Sequence, residues 1–193
     1  MANIAIFGGT FNPFHIGHYQ MLESICKLAF LDKVFVTPDK IPPHKTCDYL
    51  ASDSDRIEMC RLVCEDFPKS ELCLIEFELE GKSYTLDTVL QLKTMYPNDK
   101  FFVCIGGDML ATLDKWNRWE QLIKEVPFIV FARCGISSFN DDICRMRSLG
   151  AEIIAVTDSI TDISSTKLRN NTLEAMLPKK VFDYIKNKGL YND

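Results

Sequence analysis

Six short apolar runs, each followed by a stretch of helical periodicity, constrain this chain more than any other feature. The runs are Asn3–Phe7, Lys33–Thr37, Leu72–Phe77, Lys100–Ile105, Pro127–Ala132 and Glu152–Val156, and they read as strands. Between them, Ile16, Leu22, Ile25, Leu28 and Ala29 share one helical face. Ile57, Cys60, Cys64 and Phe67 share another, with Ser52 or Ser54 as its cap. A third helix through Leu86, Val89, Leu90 and Lys93 ends at Pro97, a fourth covers part of Trp119–Lys124, and a fifth, Asp141–Leu149, stops at Gly150. The tail Pro178–Lys188 has proline at a first-turn position and ends at Gly189. Strands alternating with helices predict an α/β fold, a doubly wound parallel sheet covered on both faces. Ligands of such sheets bind at the carboxyl ends of the strands, so the residues just after each strand are the ones to inspect.

At 193 residues the chain predicts one domain, 1–193, with 163–193 as its C-terminal helical segment. Its formal charge of −5 leaves no global basic field for nucleic acid, so a site for a phosphorylated ligand has to be built locally. No apolar stretch approaches the roughly 20 residues that span a bilayer, and Met1–Phe7 lacks the basic start of a signal peptide. A soluble cytoplasmic protein without a membrane partner is expected. Eight cysteines, at 26, 47, 60, 64, 73, 104, 134 and 144, include no Cys-x-x-Cys pair and fall mostly in apolar runs. Buried reduced thiols are expected from them rather than disulfides or a metal site.

After the first strand comes Gly8-Gly9-Thr10-Phe11-Asn12-Pro13-Phe14-His15-Ile16-Gly17-His18. Two glycines let the backbone approach a ligand, with amides free for anionic oxygens. A helix starting near His18 would aim its positive end at the same spot. Two of the three histidines stand here, three residues apart, and the absence of Gly-Lys-Ser/Thr excludes a Walker A loop. After the second strand, Pro42-Pro43-His44-Lys45 offers a cation on a stiff loop. Ser83-Tyr84-Thr85-Leu86-Asp87-Thr88 opens the third helix with Thr85 as its cap, a good seat for a carboxylate. After strand four, Gly106-Gly107-Asp108 places an acceptor for a ribose diol, and Trp116 follows. Arg133 follows strand five, and Asp162-Ile163-Ser164-Ser165-Thr166-Lys167-Leu168-Arg169 reads as a further helix start carrying hydroxyls and cations.

These motifs together resemble the nucleotidyltransferase superfamily with the His-x-Gly-His signature. The Gly-Gly-Thr-Phe-Asn-Pro beginning is similar to that of the bacterial nicotinate mononucleotide adenylyltransferases, and the likeness covers nearly the whole chain. It implies the Rossmann-like nucleotidyltransferase fold and a reaction of ATP with nicotinate mononucleotide, giving nicotinate adenine dinucleotide and pyrophosphate. It assigns catalysis to His15, His18, Lys45 and Arg169. ATP falls to Gly8, Gly9, Thr10, Phe11, His15, His18, Gly106, Asp108, Arg133, Ile163, Ser164, Ser165, Thr166 and Arg169. The mononucleotide falls to His44, Lys45, Tyr84, Thr85, Leu86, Asp108 and Trp116, whose ring would stack on the nicotinate base. Two positions depart from the pattern: Asn117 stands where an aromatic residue is common, and Cys134 where the family has proline.

The mononucleotide's 5′-phosphate is already an anion, so no general base is required. Positioning and charge stabilisation at the α-phosphorus carry the expected mechanism. Mg²⁺ would arrive with ATP, since no carboxylate cage is apparent in the sequence. The alternatives are a nicotinamide mononucleotide or phosphopantetheine adenylyltransferase, or a non-catalytic nucleotide sensor. The sequence leaves the oligomeric state open.

Overall fold

A computed structural model describes residues 1–40, 51–79, 81–82, 84–133, 139–161, 163 and 174–191. Its centre is a six-stranded, all-parallel sheet of β1 (Asn3–Gly9), β2 (Lys33–Pro38), β3 (Ser70–Leu72), β4 (Lys100–Gly106), β5 (Phe128–Arg133) and β6 (Ile153–Ile160), in the order β3-β2-β1-β4-β5-β6. Helices cover both faces, so the strands are continuous apolar runs rather than alternating ones. Period two still divides their side chains. Ala5, Phe7, Val34, Val36, Phe102 and Cys104 join one core, and Ile4, Ile6, Phe35, Phe101, Val103 and Ile105 the other.

The first core is closed by α1 (Ile16–Lys27) through Met21, Leu22 and Ile25, and by α2 (Asp53–Cys64) through Met59, Cys60 and Val63. The second is closed by α4 (Thr85–Met95) through Leu86, Val89 and Leu92, with α5 (Gly107–Leu110), α6 (Trp119–Glu125) and α7 (Phe139–Ser148) beside it. A short helix, α3 (Ile75–Glu78), precedes α4. The last helix, α8 (Lys179–Lys188), packs Val181 and Ile185 into the first core and ends at Gly189, whose φ of 63° only glycine adopts without strain. Ser52 caps α2, its hydroxyl accepting from the Asp55 amide at 3.1 Å. Among the described residues no helix is long and apolar enough to cross a membrane.

Four sequence expectations shift. The apolar run Leu72–Phe77 predicts a strand, but β3 covers only Ser70–Leu72 and Ile75–Glu78 is helical. β3 is an edge with β2 as its one neighbour; past Leu72, Cys73 still donates to the Val36 carbonyl, and β2 then runs into Pro38, which has no N–H. Turning the chain there buries Glu76, whose carboxylate accepts the buried Thr88 hydroxyl at 2.9 Å.

The first helix starts at Ile16, before His18, and ends before Leu28 and Ala29. The buried face of α2 is Arg56, Met59, Cys60 and Val63, with Ile57 only half-buried. Thr85 is the first residue of α4 rather than its cap; Tyr84 holds the cap position. Six cysteines are described, all free; Cys60 and Cys104 are buried and Cys144 is exposed. Burial pushes the Cys60 and Cys104 thiols far above the ordinary thiol range, which makes them packing groups rather than nucleophiles.

Candidate active site

The chain leaves β1 toward β2 on one side of the sheet and reaches β4 on the other, so the order reverses between β1 and β4. That reversal is a topological switch point, where open α/β sheets bind ligands. The ladder shows the opening directly. β1 stays paired with β2 as far as Gly9 opposite Pro38, but its pairing with β4 stops at Ile6 opposite Val103. The last residues of β1, Phe7–Gly9, and of β4, Cys104–Gly106, therefore part from one another. Both arms of this crevice end in glycine: Gly8-Gly9 on one and Gly106-Gly107 on the other.

Close packing favours glycine at two of these positions. A Cβ on Gly9 would lie 3.1 Å from the Phe11 ring, and one on Gly107 would lie 3.0 Å from the Phe139 ring. Gly17, between the two histidines, is held tighter still: a Cβ there would stand 3.0 Å from the Thr161 carbonyl and 3.2 Å from the His15 ring. Real Cβ atoms hardly tolerate such approaches, so this one position couples the end of β6 to the histidine turn.

His15 caps α1. Its Nδ1 accepts the His18 amide at 3.3 Å, while the His18 Nδ1 accepts the His15 amide at 3.4 Å. This is the reciprocal pattern of a capping box, with two imidazoles in place of the usual hydroxyl and carboxamide or carboxylate. The rings stack with centroids 3.6 Å apart and 13° between planes. A nitrogen that accepts an N–H carries no proton itself, so both neutral rings hold theirs on Nε2. The Phe11 and Phe14 rings meet the His18 ring edge-on at 5.0 and 5.3 Å and fix its orientation. Phe11, with φ of 46°, is 1% exposed, so its ring is part of the wall that holds the histidine pair.

The turn between β1 and α1 is tied down from several directions. The Thr10 hydroxyl donates to Asp39 at 3.1 Å, and the Asp39 amide donates to the Gly9 carbonyl at 3.0 Å. Asn12, buried, accepts the Ala51 amide at 3.1 Å and the Tyr191 hydroxyl. The Arg56 guanidinium donates to the Thr10 carbonyl at 2.9 Å. Asp39 and Arg56 are neighbours of this turn that the motif reading missed. Arg56 leaves a trace in the sequence, as an arginine on the stripe Arg56-Met59-Cys60-Val63 whose other members are apolar. Asp39 leaves none.

Across the crevice, Asp108 is exposed on α5, a four-residue helix starting at Gly107. Thr85 and Leu86 open α4, and Tyr84 makes no side-chain capping bond, unlike the caps of α1 and α2. Leu86 is fully buried in the second core. Trp116, half-buried against the second core, follows a 3-10 turn at Leu113–Lys115. An ion pair between Arg118 and Asp87 draws its segment to the first turn of α4. Asn117 is exposed and accepts from Arg118 Nε at 3.1 Å. Ile163 is buried, and Arg133 closes β5. His44, Lys45, Ser164, Ser165, Thr166 and Arg169 lie outside the described residues.

The split parallel sheet with a histidine-capped helix at its switch point defines a nucleotidyltransferase, and a family model described as cytidylyltransferase-like matches residues 6–171. Nicotinate-nucleotide adenylyltransferase of Bacillus subtilis is 37% identical over 191 residues, 99% of each chain. A Listeria welshimeri relative, named as a probable nicotinate-nucleotide adenylyltransferase, is 40% identical over 97% of this chain and 96% of its own. The chain belongs to the nicotinate-nucleotide adenylyltransferase family within that class. The same fold is found in the solved nicotinic acid mononucleotide adenylyltransferase of Plasmodium falciparum complexed with NaAD, with a TM-score of 0.82, 21% identity, and 99% of this chain and 98% of that one covered.

Proposed function

We propose that this chain transfers the adenylyl group of ATP to nicotinate mononucleotide, forming nicotinate adenine dinucleotide and releasing pyrophosphate. The observation that carries the reading is the stacked His15–His18 pair, locked in one tautomer in the turn that follows β1, with His15 buried and His18 half-buried. The mononucleotide's 5′-phosphate attacks the α-phosphorus, and the bond to the pyrophosphate leaving group breaks in line. The nucleophile is ionised beforehand, so the protein's task is to align two polyanions and offset their charge.

The His15 and His18 Nε2–H groups donate to phosphate oxygens as charge builds on them, and their rigid stacking means little reorganisation accompanies that step. Amides of Gly8–Phe11 cradle the ATP phosphates from the end of β1, and Asp108 receives a ribose diol. Gly106 and the backbone at Arg133 and Ile163 complete the ATP side, with Ser164, Ser165, Thr166, Arg169 and Lys45 holding the leaving pyrophosphate. On the other side, the first turn of α4 receives the nicotinate carboxylate at Thr85 and the neighbouring amides, with Tyr84 and His44 alongside. That turn lacks a Tyr84 cap, so an incoming carboxylate supplies the acceptor that serine supplies to α2. Trp116 stacks on the pyridine.

The Thr10 hydroxyl already donates to Asp39, so the donors this turn offers a ligand are N–H groups, which suit phosphate oxygens rather than a metal. A divalent ion, Mg²⁺ in this reading, would be held by ATP oxygens and water and supply charge neutralisation there.

Pyrophosphate release, measured with ATP and Mg²⁺ against nicotinate mononucleotide, nicotinamide mononucleotide and phosphopantetheine in parallel, tests the proposal. A large preference for the nicotinate acceptor is expected. Equal rates for acid and amide would remove the carboxylate seat at Thr85, and no release with any acceptor would leave a nucleotide sensor.

A further inference from the structure

Arg56 lies on α2 with its side chain 1% exposed, beneath the turn that follows β1. A buried guanidinium is costly unless its charge and all its donors are met. Here they are met incompletely. Nη1 donates to the Thr10 carbonyl at 2.9 Å and Nη2 pairs with Asp53 at 2.6 Å, but Nε is buried without a hydrogen-bond partner among the described residues. The Asp53 side chain is 56% exposed, so water screens this ion pair from one side. Around this cation stands the set of bonds that shapes the turn: Thr10 hydroxyl to Asp39, and Asp39 amide to Gly9 carbonyl. The next residue, Phe11, sits at positive φ with its ring against that of His18.

We propose that Arg56 is a positioning residue for ATP: it fixes the Thr10 carbonyl from below and with it the turn that follows β1, and its buried charge favours an anion bound on that turn. The assignment rests on the reading that this turn receives ATP. A lysine at 56 keeps the charge but has no fork to reach both the Thr10 carbonyl and Asp53, whereas methionine keeps the packing volume and loses both functions. The two substitutions therefore separate charge from geometry.

The test measures binding of α,β-methylene ATP by calorimetry, together with KM for each substrate, on wild type, Arg56→Met, Arg56→Lys and Asp53→Asn. Arg56→Met is expected to weaken the ATP analogue by on the order of 10-fold or more while the mononucleotide KM moves by less than about 2-fold. Arg56→Lys should fall between Arg56→Met and wild type, and Asp53→Asn should bind within about 2-fold of wild type because its partner is solvent-screened. A merely structural arginine would lower thermal stability without this split. Unchanged analogue affinity in folded Arg56→Lys or Arg56→Met, or equal losses for both substrates, overturns the assignment. Wild type that fails to bind the analogue overturns the functional reading itself, and this assignment with it.

Discussion

The Tyr191 hydroxyl donates to the Asn12 carboxamide across 179 positions of sequence, so the C-terminal end of the described chain is fastened to the turn that carries the two histidines. Asn12 is 1% exposed and spends its oxygen on this bond and on the Ala51 amide. The turn is thereby tied at once to the entry of α2 and to the residues after α8. Tyr191→Phe removes a single donor and leaves Asn12 with Ala51, so it should cost about 0.5–1.5 kcal/mol. Asn12→Ala also strands the Ala51 amide and should cost more, with a larger fall in kcat. Urea denaturation of wild type and both variants measures the order; a Tyr191→Phe protein as stable as wild type would mean the Tyr191 bond contributes nothing.

Substituting Gly17 with alanine puts a methyl group 3.0 Å from the Thr161 carbonyl and 3.2 Å from the His15 ring. One side is backbone and the other a ring stacked on His18, so neither yields easily. Overpacking of this kind costs about 1–3 kcal/mol. Activity should fall further than stability alone explains, because the His15–His18 stack is what moves. A Gly17→Ala protein with wild-type turnover would show that the stack has slack.

His18→Ala should lower kcat by about 10²-fold or more, the size associated with losing one preorganised donor to a charged transition state. Stability should fall modestly, since the ring is only half-buried and His15 can still accept the residue-18 amide. Single-turnover rates with saturating substrates give the comparison. A folded variant turning over at the wild-type rate would remove His18 from the chemistry.

In the first turn of α2, Asp55 accepts the Tyr184 hydroxyl of α8 at 2.8 Å. Burial, followed by the bond to Asp55, pushes the Tyr184 phenol up to about 12, from an ordinary value of 10.0. The native state thus keeps this proton where the unfolded chain releases it. Its contribution is complete below about pH 10 and is lost as pH rises toward 12. Asp55 runs the other way: the Ser52 hydroxyl, opposed by burial and aided by Tyr184, holds its carboxyl below the usual range. That contribution is present above the unfolded carboxylate value and disappears in acid. Chemical denaturation of wild type and Tyr184→Phe at several pH values should show a gap that closes between pH 10 and 12. A constant gap would exclude the linkage.

The alternation of apolar runs and helical stripes already contains the layered fold, because parallel strands buried on both faces must be apolar throughout. The Gly8–His18 string contains the crevice motif in the same sense, since glycine, proline and histidine at those spacings have few other uses. The strand expected over Leu72–Phe77 failed for a reason no local pattern carries: an edge strand lasts only as long as its single neighbour can pair with it, and β2 ends in proline. Thr85 looked like a cap because its hydroxyl suits one, yet Tyr84 holds that place and leaves the first turn of α4 without a side-chain cap from that residue.

Local chemistry, then, was the sequence's to determine: which segments are strands or helices, which ends carry glycines and histidines, and which family the chain resembles. Tertiary structure decided the relationships between distant segments. It set the point where β1 and β4 part, the Thr161 carbonyl against Gly17, Tyr191 on Asn12, and a buried arginine under Thr10. The division has a physical cause. Periodicity and capping are set by neighbours within a few residues, whereas a close approach between segments distant in the sequence exists only once the whole core has packed.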